Sequence, residues 1–277
     1  GFIVNSAISF RMHRHSLHPK RTNLVSTSKI MKNIVVRNSM KNQKSLGCWM
    51  PFTSVQLIEL LAIAGFDFVQ LDGEHGPFSL DQIETTCITA ELCGMSVFAR
   101  PPSCDAAAIN MYLERGVQGI VGPHVDTVEQ AIDLVRSCRF APEGERSWGG
   151  GRSLLYNDPV SVEDKDGLRT SIMTEANSQM IVTAQLETEA ALYNLDGMLE
   201  VEGIDYFTFG PNDLAQSMGV PGEPKHDTVI SAIQDATNKI HQKGKKIVED
   251  DQILTTLPGL ILDSARAFVS YNSKKRG

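Results

Sequence analysis

The sequence has only five cysteines, Cys48, Cys87, Cys93, Cys104 and Cys138, and no two of them stand at C-x-x-C spacing. An odd, scattered set excludes a disulfide framework and a structural zinc knuckle, and points to free thiols in a reducing compartment. Long apolar runs are also missing. No stretch of about 18 apolar residues occurs, so the sequence offers no membrane-spanning helix. Acidic residues are absent from residues 1–44, which hold nine Lys or Arg, whereas the remainder carries 17 basic against 33 acidic residues, a net of −16. So acidic a body excludes a nucleic-acid binder, because phosphate contacts need clustered cations. Lysine is nearly absent from the middle of the chain: between Lys44 and Lys225 the only one is Lys165. The strand ends there offer no amine for a Schiff base.

The basic, Ser-containing segment 1–44 fits two descriptions. One is a mitochondrial transit peptide; the other is non-native upstream sequence, with Met31 or Met40 as the start. Disorder is expected of it either way, and a metal-binding role for its His13, His15 and His18 is the weaker reading. The expected location is cytoplasmic, or mitochondrial if the leader is genuine.

What is present suits one enzyme-sized domain. A length of 277 residues with 42% hydrophobic and 21% charged composition fits a single (β/α)8 barrel of about 250 residues plus extensions. From residue 46 onward, short β-branched or aromatic runs alternate with amphipathic patterns, the mark of repeated βα units. Strands are expected at 46–50, 66–72, 97–100, 119–123, 181–187 and 206–211. A seventh is expected at 245–248 and an eighth at 266–271. Helices open on two capping boxes, Ser79 with Gln82 and Thr127 with Gln130. Asp227 is expected to cap a later helix that Gly244 closes. The fold class is therefore α/β, a (β/α)8 TIM barrel from 45 to 248, whose last helix is apparently truncated. Residues 249–277 form an atypical segment that completes the barrel. The long connection at 142–178 is expected to cover or frame a site.

In such a barrel the reactive groups gather at the carboxyl ends of the strands. Asp72, Glu74 and His75 follow the second strand, Arg100 ends the third, Gln185 and Glu187 end the fifth, and Asn212 and Asp213 follow the sixth. Gln185 and Glu187 share one face by strand parity. Glu187 and Asp213 lie on neighbouring strands about 4.8 Å apart, so both could reach one cation. Two carboxylates with waters suit Mg²⁺ or Mn²⁺, with Co²⁺ or Zn²⁺ also acceptable. The same pair could instead cap helices or bond an Arg. His75 is a candidate general base that Asp72 or Glu74 could orient. Arg100 is a candidate holder of a carboxylate or oxyanion, or a structural partner of Asp72 or Glu74. With no Schiff-base lysine, electrophilic activation falls to a metal acting as a Lewis acid.

Several segments together resemble the HpcH/HpaI aldolase family. They are Gly47-Cys48-Trp49, Leu71-Asp72-Gly73-Glu74-His75-Gly76-Pro77, Ala99-Arg100-Pro101, Gln185-Leu186-Glu187-Thr188, Val201-Glu202-Gly203-Ile204-Asp205 and Gly210-Pro211-Asn212-Asp213-Leu214. They run in order from about residue 46 to about residue 247. The resemblance implies a metal-dependent (class II) aldolase that cleaves or forms a C–C bond in 4-hydroxy-2-oxo acids through a pyruvate enolate. It implies Glu187 and Asp213 as metal ligands, and His75 with Asp72 as the base. It also implies Arg100 as the group that holds pyruvate and stabilises its enolate, with Gln185, Asn212 and Trp49 lining the substrate. The family commonly has Asp where this chain has Glu114, which places Glu114 in the proton relay. The partners implied are a 2-oxo acid and an aldehyde, and a homo-oligomer built from dimers, up to a hexamer. Two other readings stay open: a carbon–carbon lyase like citrate lyase or malyl-CoA lyase, and a truncated, non-catalytic barrel that binds 2-oxo acids.

Overall fold

Short strands dominate the interior of the chain. The computed structural model describes residues 32–163 and 167–273. Seven strands, β1 (Ser45–Met50), β2 (Phe68–Asp72), β3 (Ser96–Arg100), β4 (Gly119–Gly122), β5 (Ile181–Leu186), β6 (Tyr206–Phe209) and β7 (Gln252–Thr256), make one sheet. Their order is β6-β5-β4-β3-β2-β1-β7, and every ladder is parallel.

Strand parity separates two faces. Val69, Leu71, Val97, Ala99, Ile120, Val182, Ala184 and Leu186 turn to the helices and form the main core with them. Phe68, Phe98, Ile181 and Tyr206 turn the other way and gather with Val35 and Val248 in a second cluster. Phe68 and Tyr206 belong to strands four places apart in the sheet, so the sheet must curl around this cluster. The curl has a steric condition. A Cβ on Gly47 would stand 2.2 Å from the Phe68 ring, and one on Gly119 would stand 2.7 Å from the Phe98 ring. Glycine at both positions lets the two rings pack 5.0 Å apart inside the curve. One step further along, the same inner face carries Trp49, Asp72, Arg100 and Gln185 to the carboxyl ends of the strands.

The helices start where side chains can satisfy their free N–H groups. Ser79 and Gln82 form a reciprocal box on the helix Leu80–Leu92, as do Thr127 and Gln130 on Val128–Cys138. Gly244, with φ +70°, follows the helix Asp227–Gln242 as expected. Its N-cap, however, is His226, whose Nδ1 accepts from the Thr228 N–H at 3.3 Å, and Asp227 is the first helical residue.

Three boundaries differ from the sequence expectation. Residues 33–44, inside the segment read as a leader, belong to the folded body. Asn33 caps the helix Ile34–Ser39 and donates to the Gln118 and Gln179 carbonyls, while the Ile34 N–H donates to Ser96 Oγ at 2.9 Å. Val35 is fully buried under the inner cluster. Residues 1–31, with His13, His15 and His18, lie outside the described residues. At the other end, residues 245–248 do not form a strand. Ile247 makes one bridge to Phe207, and the Phe207 N–H donates to the Lys246 carbonyl. The chain then turns into the short helix Val248–Asp251, where Asp250 takes the Ile247 N–H and three acids favour the positive helix start. The strand beside β1 is β7, rich in β-branched Ile253, Thr255 and Thr256. Residues 266–271, expected as an eighth strand, lie inside the helix Leu257–Ser273, so a final helix is present rather than missing. Leu257 is its one buried residue, so packing does not oppose the helical preference of its Ala and Leu residues.

Gly47→Ala is expected to destabilise the protein by about 2 kcal/mol, the usual cost of overpacking an interior site. A urea unfolding midpoint unchanged from wild type would show that the Phe68 ring has room to move.

Candidate active site

The loop after β2 is built to send two side chains in opposite directions. Gly76 N–H returns to the Asp72 carbonyl at 2.8 Å, and Gly73 N–H bonds to the Arg100 carbonyl at 2.8 Å. A Cβ on Gly73 would collide with the Tyr112 hydroxyl, so only glycine permits this approach. Within the tight loop Glu74 turns inward, its side chain 13% exposed, while His75 turns out to solvent at 62%. The His75 N–H donates to Asp72 Oδ1 at 3.3 Å, and its imidazole Nε2 lies 3.8 Å from Glu74 Oε2. The loop thus orients His75 through its backbone, and the imidazole makes no hydrogen bond to Asp72.

Asp72 and Arg100 face each other at the ends of adjacent strands in register. Arg100 Nε donates to Asp72 Oδ1 at 3.0 Å and Nη2 stands 2.9 Å from Oδ2 as an ion contact, a pair that is almost wholly buried. The same guanidinium reaches Glu74 Oε2 at 3.1 Å and Gln185 Oε1 at 3.5 Å through Nη1. Gln185 then donates to Glu187 Oε2 at 2.5 Å. Gly210 makes room for that carboxylate, since a Cβ there would fall 2.4 Å from Glu187 Oε2.

His124 completes the group and was not singled out from the sequence. The chain leaves β4 through Pro123 and is drawn across to β5 by Val125, whose N–H bonds to the Gln185 carbonyl at 3.3 Å. His124 takes the left-handed backbone, φ +50°, which His tolerates better than most residues. Its N–H donates to Glu187 Oε1 at 2.8 Å. Its Nδ1 lies 3.2 Å from the same oxygen, and its Nε2 lies 3.1 Å from Glu74 Oε1. The signal in the sequence was its position, the first polar residue after the fourth strand.

The other residues named from the sequence are placed as follows. Trp49 is half-buried near the end of β1, on the inner face. Asn212 is exposed and Asp213 half-buried on the first turn of the helix Pro211–Ser217. The Asp213 carboxylate has no hydrogen bond or ion pair among the described residues. Glu114 is not brought to the group. It ends the helix Ala106–Leu113, which leads into the amino end of β4. Its carboxylate accepts from the Gly151 N–H at 3.1 Å and Ser153 Oγ at 3.4 Å, with Arg146 4.0 Å away. The long connection is therefore tied to Glu114 at this point, and its part 146–153 does not frame the Asp72–Arg100 group.

The electrostatics are unbalanced. Asp72 and Glu74 contact the one Arg100 guanidinium, and Glu187 is joined to it through Gln185. Burial pushes the Glu187 carboxyl above its ordinary range, and the Glu74 charge pushes it further, against the bonds from His124 and Gln185. Buried Glu74 Oε2 has ion contacts but no well-aligned hydrogen bond. This donor set, hard oxygens in excess of cationic partners, fits a divalent cation. Among the described residues, however, no three His, Cys, Asp or Glu side chains already converge on a cation position.

A curled parallel α/β sheet with charged side chains gathered at its carboxyl edge has the arrangement of an enzyme active site. The chain belongs to the family described as HpcH/HpaI aldolase/citrate lyase, whose model matches residues 45–256. It is 35% identical over 206 residues to the 4-hydroxy-2-oxovalerate aldolase of Rhodococcus jostii, covering 74% of this chain and 76% of that one. It is 33% identical to the hydroxypyruvate/pyruvate aldolase of Roseobacter denitrificans, covering 86% and 90%. The fold also resembles the crystal structure of an HpcH/HpaI aldolase from Desulfitobacterium hafniense, with a TM-score of 0.73 at 23% identity, covering 85% and 95%. The expected family membership and enzyme class are thus borne out.

The raised Glu187 carboxyl has a definite pH consequence. A carboxyl whose folded pKa is raised lends stability at low pH, and that stability fades as pH rises above its ordinary value near 4.5. In EDTA-treated protein, Glu187→Gln is therefore expected to gain stability relative to wild type as pH climbs from 4.5 to neutrality. Urea midpoints at several pH values measure this, and a pH-independent difference would count against the assignment.

Proposed function

We propose that the protein is a metal-dependent (class II) aldolase that cleaves or forms a C–C bond in 4-hydroxy-2-oxo acids by way of a pyruvate enolate. The observation that carries this reading is the buried Arg100 guanidinium, held flat by Asp72 and placed beside Gln185 and Glu187 at the strand ends. A planar fork so fixed matches the carboxylate and oxyanion of a 2-oxo acid. The aldolases named above act on substrates of this kind by their descriptions. We read the curled sheet as a variant of the (β/α)8 barrel, which carries its chemistry at this edge.

Glu187 and unpaired Asp213 would hold a divalent ion, Mg²⁺ or Mn²⁺ first among those that suit carboxylates, with Co²⁺ or Zn²⁺ as alternatives. That ion would supply Lewis acidity to the keto and carboxylate oxygens of the substrate. Arg100 binds the substrate carboxylate and stabilises negative charge as the enolate develops. His75, whose imidazole is exposed beside Glu74, takes the proton from the 4-hydroxyl as the C3–C4 bond breaks, and a proton is returned to C3 of the enolate as pyruvate leaves; condensation runs the same transfers in reverse. Asp72 holds both partners in place through Arg100 and the His75 N–H. Gln185 orients the enolate oxygen, while Trp49 and Asn212 line the approach of the aldehyde. Glu114 has no part in this step, given its bonds to the segment 146–153. The helix Leu257–Ser273 leaves Leu260, Ile261, Phe268 and Tyr271 exposed, which supports a homo-oligomer that covers it.

The test is pyruvate release from a racemic 4-hydroxy-2-oxo acid. EDTA is expected to stop it and Mn²⁺ or Mg²⁺ to restore it. Glu187→Ala and Arg100→Ala are each expected to lower kcat/KM by at least about 100-fold, the usual loss when a charge-stabilising group is removed. Release that survives EDTA or Glu187→Ala would sink the proposal.

A further inference from the structure

We infer that the cavity at the amino end of β4 is a second binding site, in which Arg146 receives the carboxylate of a short-chain aliphatic acid. The inference stands apart from the proposed aldolase chemistry, since no side chain at the carboxyl edge takes part.

The cavity measures about 230 Å³ and lies against Val117 and Gln118, which lead into β4. The length of that strand separates it from the carboxyl edge. Arg146 and Arg152 border it from the connection 142–178, and Ala176 borders it from the helix Thr170–Gln179. It is smaller than the roughly 300–1,000 Å³ of sites for drug-sized ligands, so it suits a molecule of few atoms.

Arg146 is a buried cation without a close counter-charge. Its side chain is 6% exposed, and among the described residues its only ion contact is Glu114, 4.0 Å from Nη2. Glu114 is itself engaged by the Gly151 N–H and Ser153 Oγ. Nη2 donates to Ser153 Oγ at 3.1 Å and to the Leu113 carbonyl at 3.4 Å. Nε is buried with no hydrogen-bond partner, and Nη1 makes no bond among the described residues. The guanidinium lies over the Phe140 ring, 4.6 Å from its centre. Burial pulls its pKa down to about 10, against the opposing effect of Glu114. A buried charge calls for a partner in contact, and an anion in the cavity supplies one. Arg152 has no charge to spare, because Glu91 pairs with it.

The rest of the lining decides the kind of anion. Val117, Leu155 and Met180 present apolar surface, which fits the carbon chain of an aliphatic acid. Glu91 in the wall and Glu114 beside Ser153 favour one negative charge over the two of phosphate. Leu155 reaches its place through an unfavourable backbone. Leu155, Tyr156 and Asn157 all take the left-handed region, φ +52°, +56° and +57°, which a Cβ disfavours. Trp148 Nε1 donates to Asn157 Oδ1 at 2.6 Å and the Tyr156 N–H to the Gly151 carbonyl at 3.1 Å, which holds the run. Strain of this kind concentrates where ligands are clamped.

The test is calorimetry of formate, butyrate and inorganic phosphate with the wild type, Arg146→Gln and Ala176→Leu. Butyrate is expected to bind the wild type more tightly than formate, by about fourfold for each added CH₂. Arg146→Gln is expected to weaken butyrate by at least about tenfold, the usual loss of a hydrogen bond to a charged group. Ala176→Leu keeps the guanidinium and fills part of the cavity, so it decides the matter should Arg146→Gln fail to fold. It is expected to weaken butyrate by about tenfold while formate stays within roughly twofold. Butyrate binding that survives either substitution in folded protein puts the carboxylate elsewhere, the Arg100 group included, and overturns the inference. Phosphate that binds as tightly as butyrate, or wild type that binds none of the three, overturns it as well.

Discussion

The ion pair between Asp72 and Arg100 is the contact on which the site depends. Both residues end inner-face positions of adjacent parallel strands, so the β2–β3 register alone brings them opposite each other. Burial then makes the pairing obligatory, since either charge left alone would cost several kcal/mol. Two of the three guanidinium nitrogens are used up on Asp72, which leaves Nη1 to point along the sheet toward Glu74 and Gln185. From there the bonds pass to Glu187, to His124 and back to Glu74. Side chains from the ends of four consecutive strands are thereby joined in one closed circuit. A change of register at any of those ladders would break it.

The circuit is not optimised for stability. It links three carboxylates to one permanent cation, two directly and Glu187 through Gln185, buries Glu187, and holds His124 in a left-handed backbone. A core chosen for stability would place apolar groups here, as the lower part of the same inner face does with Phe68, Phe98, Ile181 and Tyr206. The two layers of the interior thus obey opposite rules, apolar packing below and unbalanced charge above. Such local conflict is what a reactive site requires, because charge that is already fully compensated cannot respond to a substrate.

The sequence made part of this legible. Strand ends and capping boxes follow local rules, and both boxes form with the residues expected. The common face of Gln185 and Glu187 follows from parity, as does the meeting of Asp72 with Arg100. Other features depend on tertiary geometry. His124 acquires partners only because the turn after Pro123 is pulled onto β5. Glu114 matched a motif, yet helix direction carries it to the opposite end of the sheet, where Gly151 and Ser153 occupy it. The basic composition of residues 1–44 concealed Val35, whose burial needs the closed inner face before it means anything. At 266–271 an apolar run fits a strand or a helix equally well, and the ladder position beside β1 is filled by β7 instead.

The unusual carboxyl-terminal segment and the site are largely independent for a structural reason. The circuit lies on β2 to β5, all joined to one another by full ladders. Residues 245–273 meet the sheet through β7 against β1, through the Phe207–Ile247 bridge, and through Val248, which packs with Phe68, Phe98 and Ile181 in the apolar layer below the circuit. Trp49 marks the junction, since it is in register with Thr256 on one side and Gln70 on the other. A change in the terminal segment would therefore reach the inner face first at Trp49, and would leave the Arg100 pairing intact.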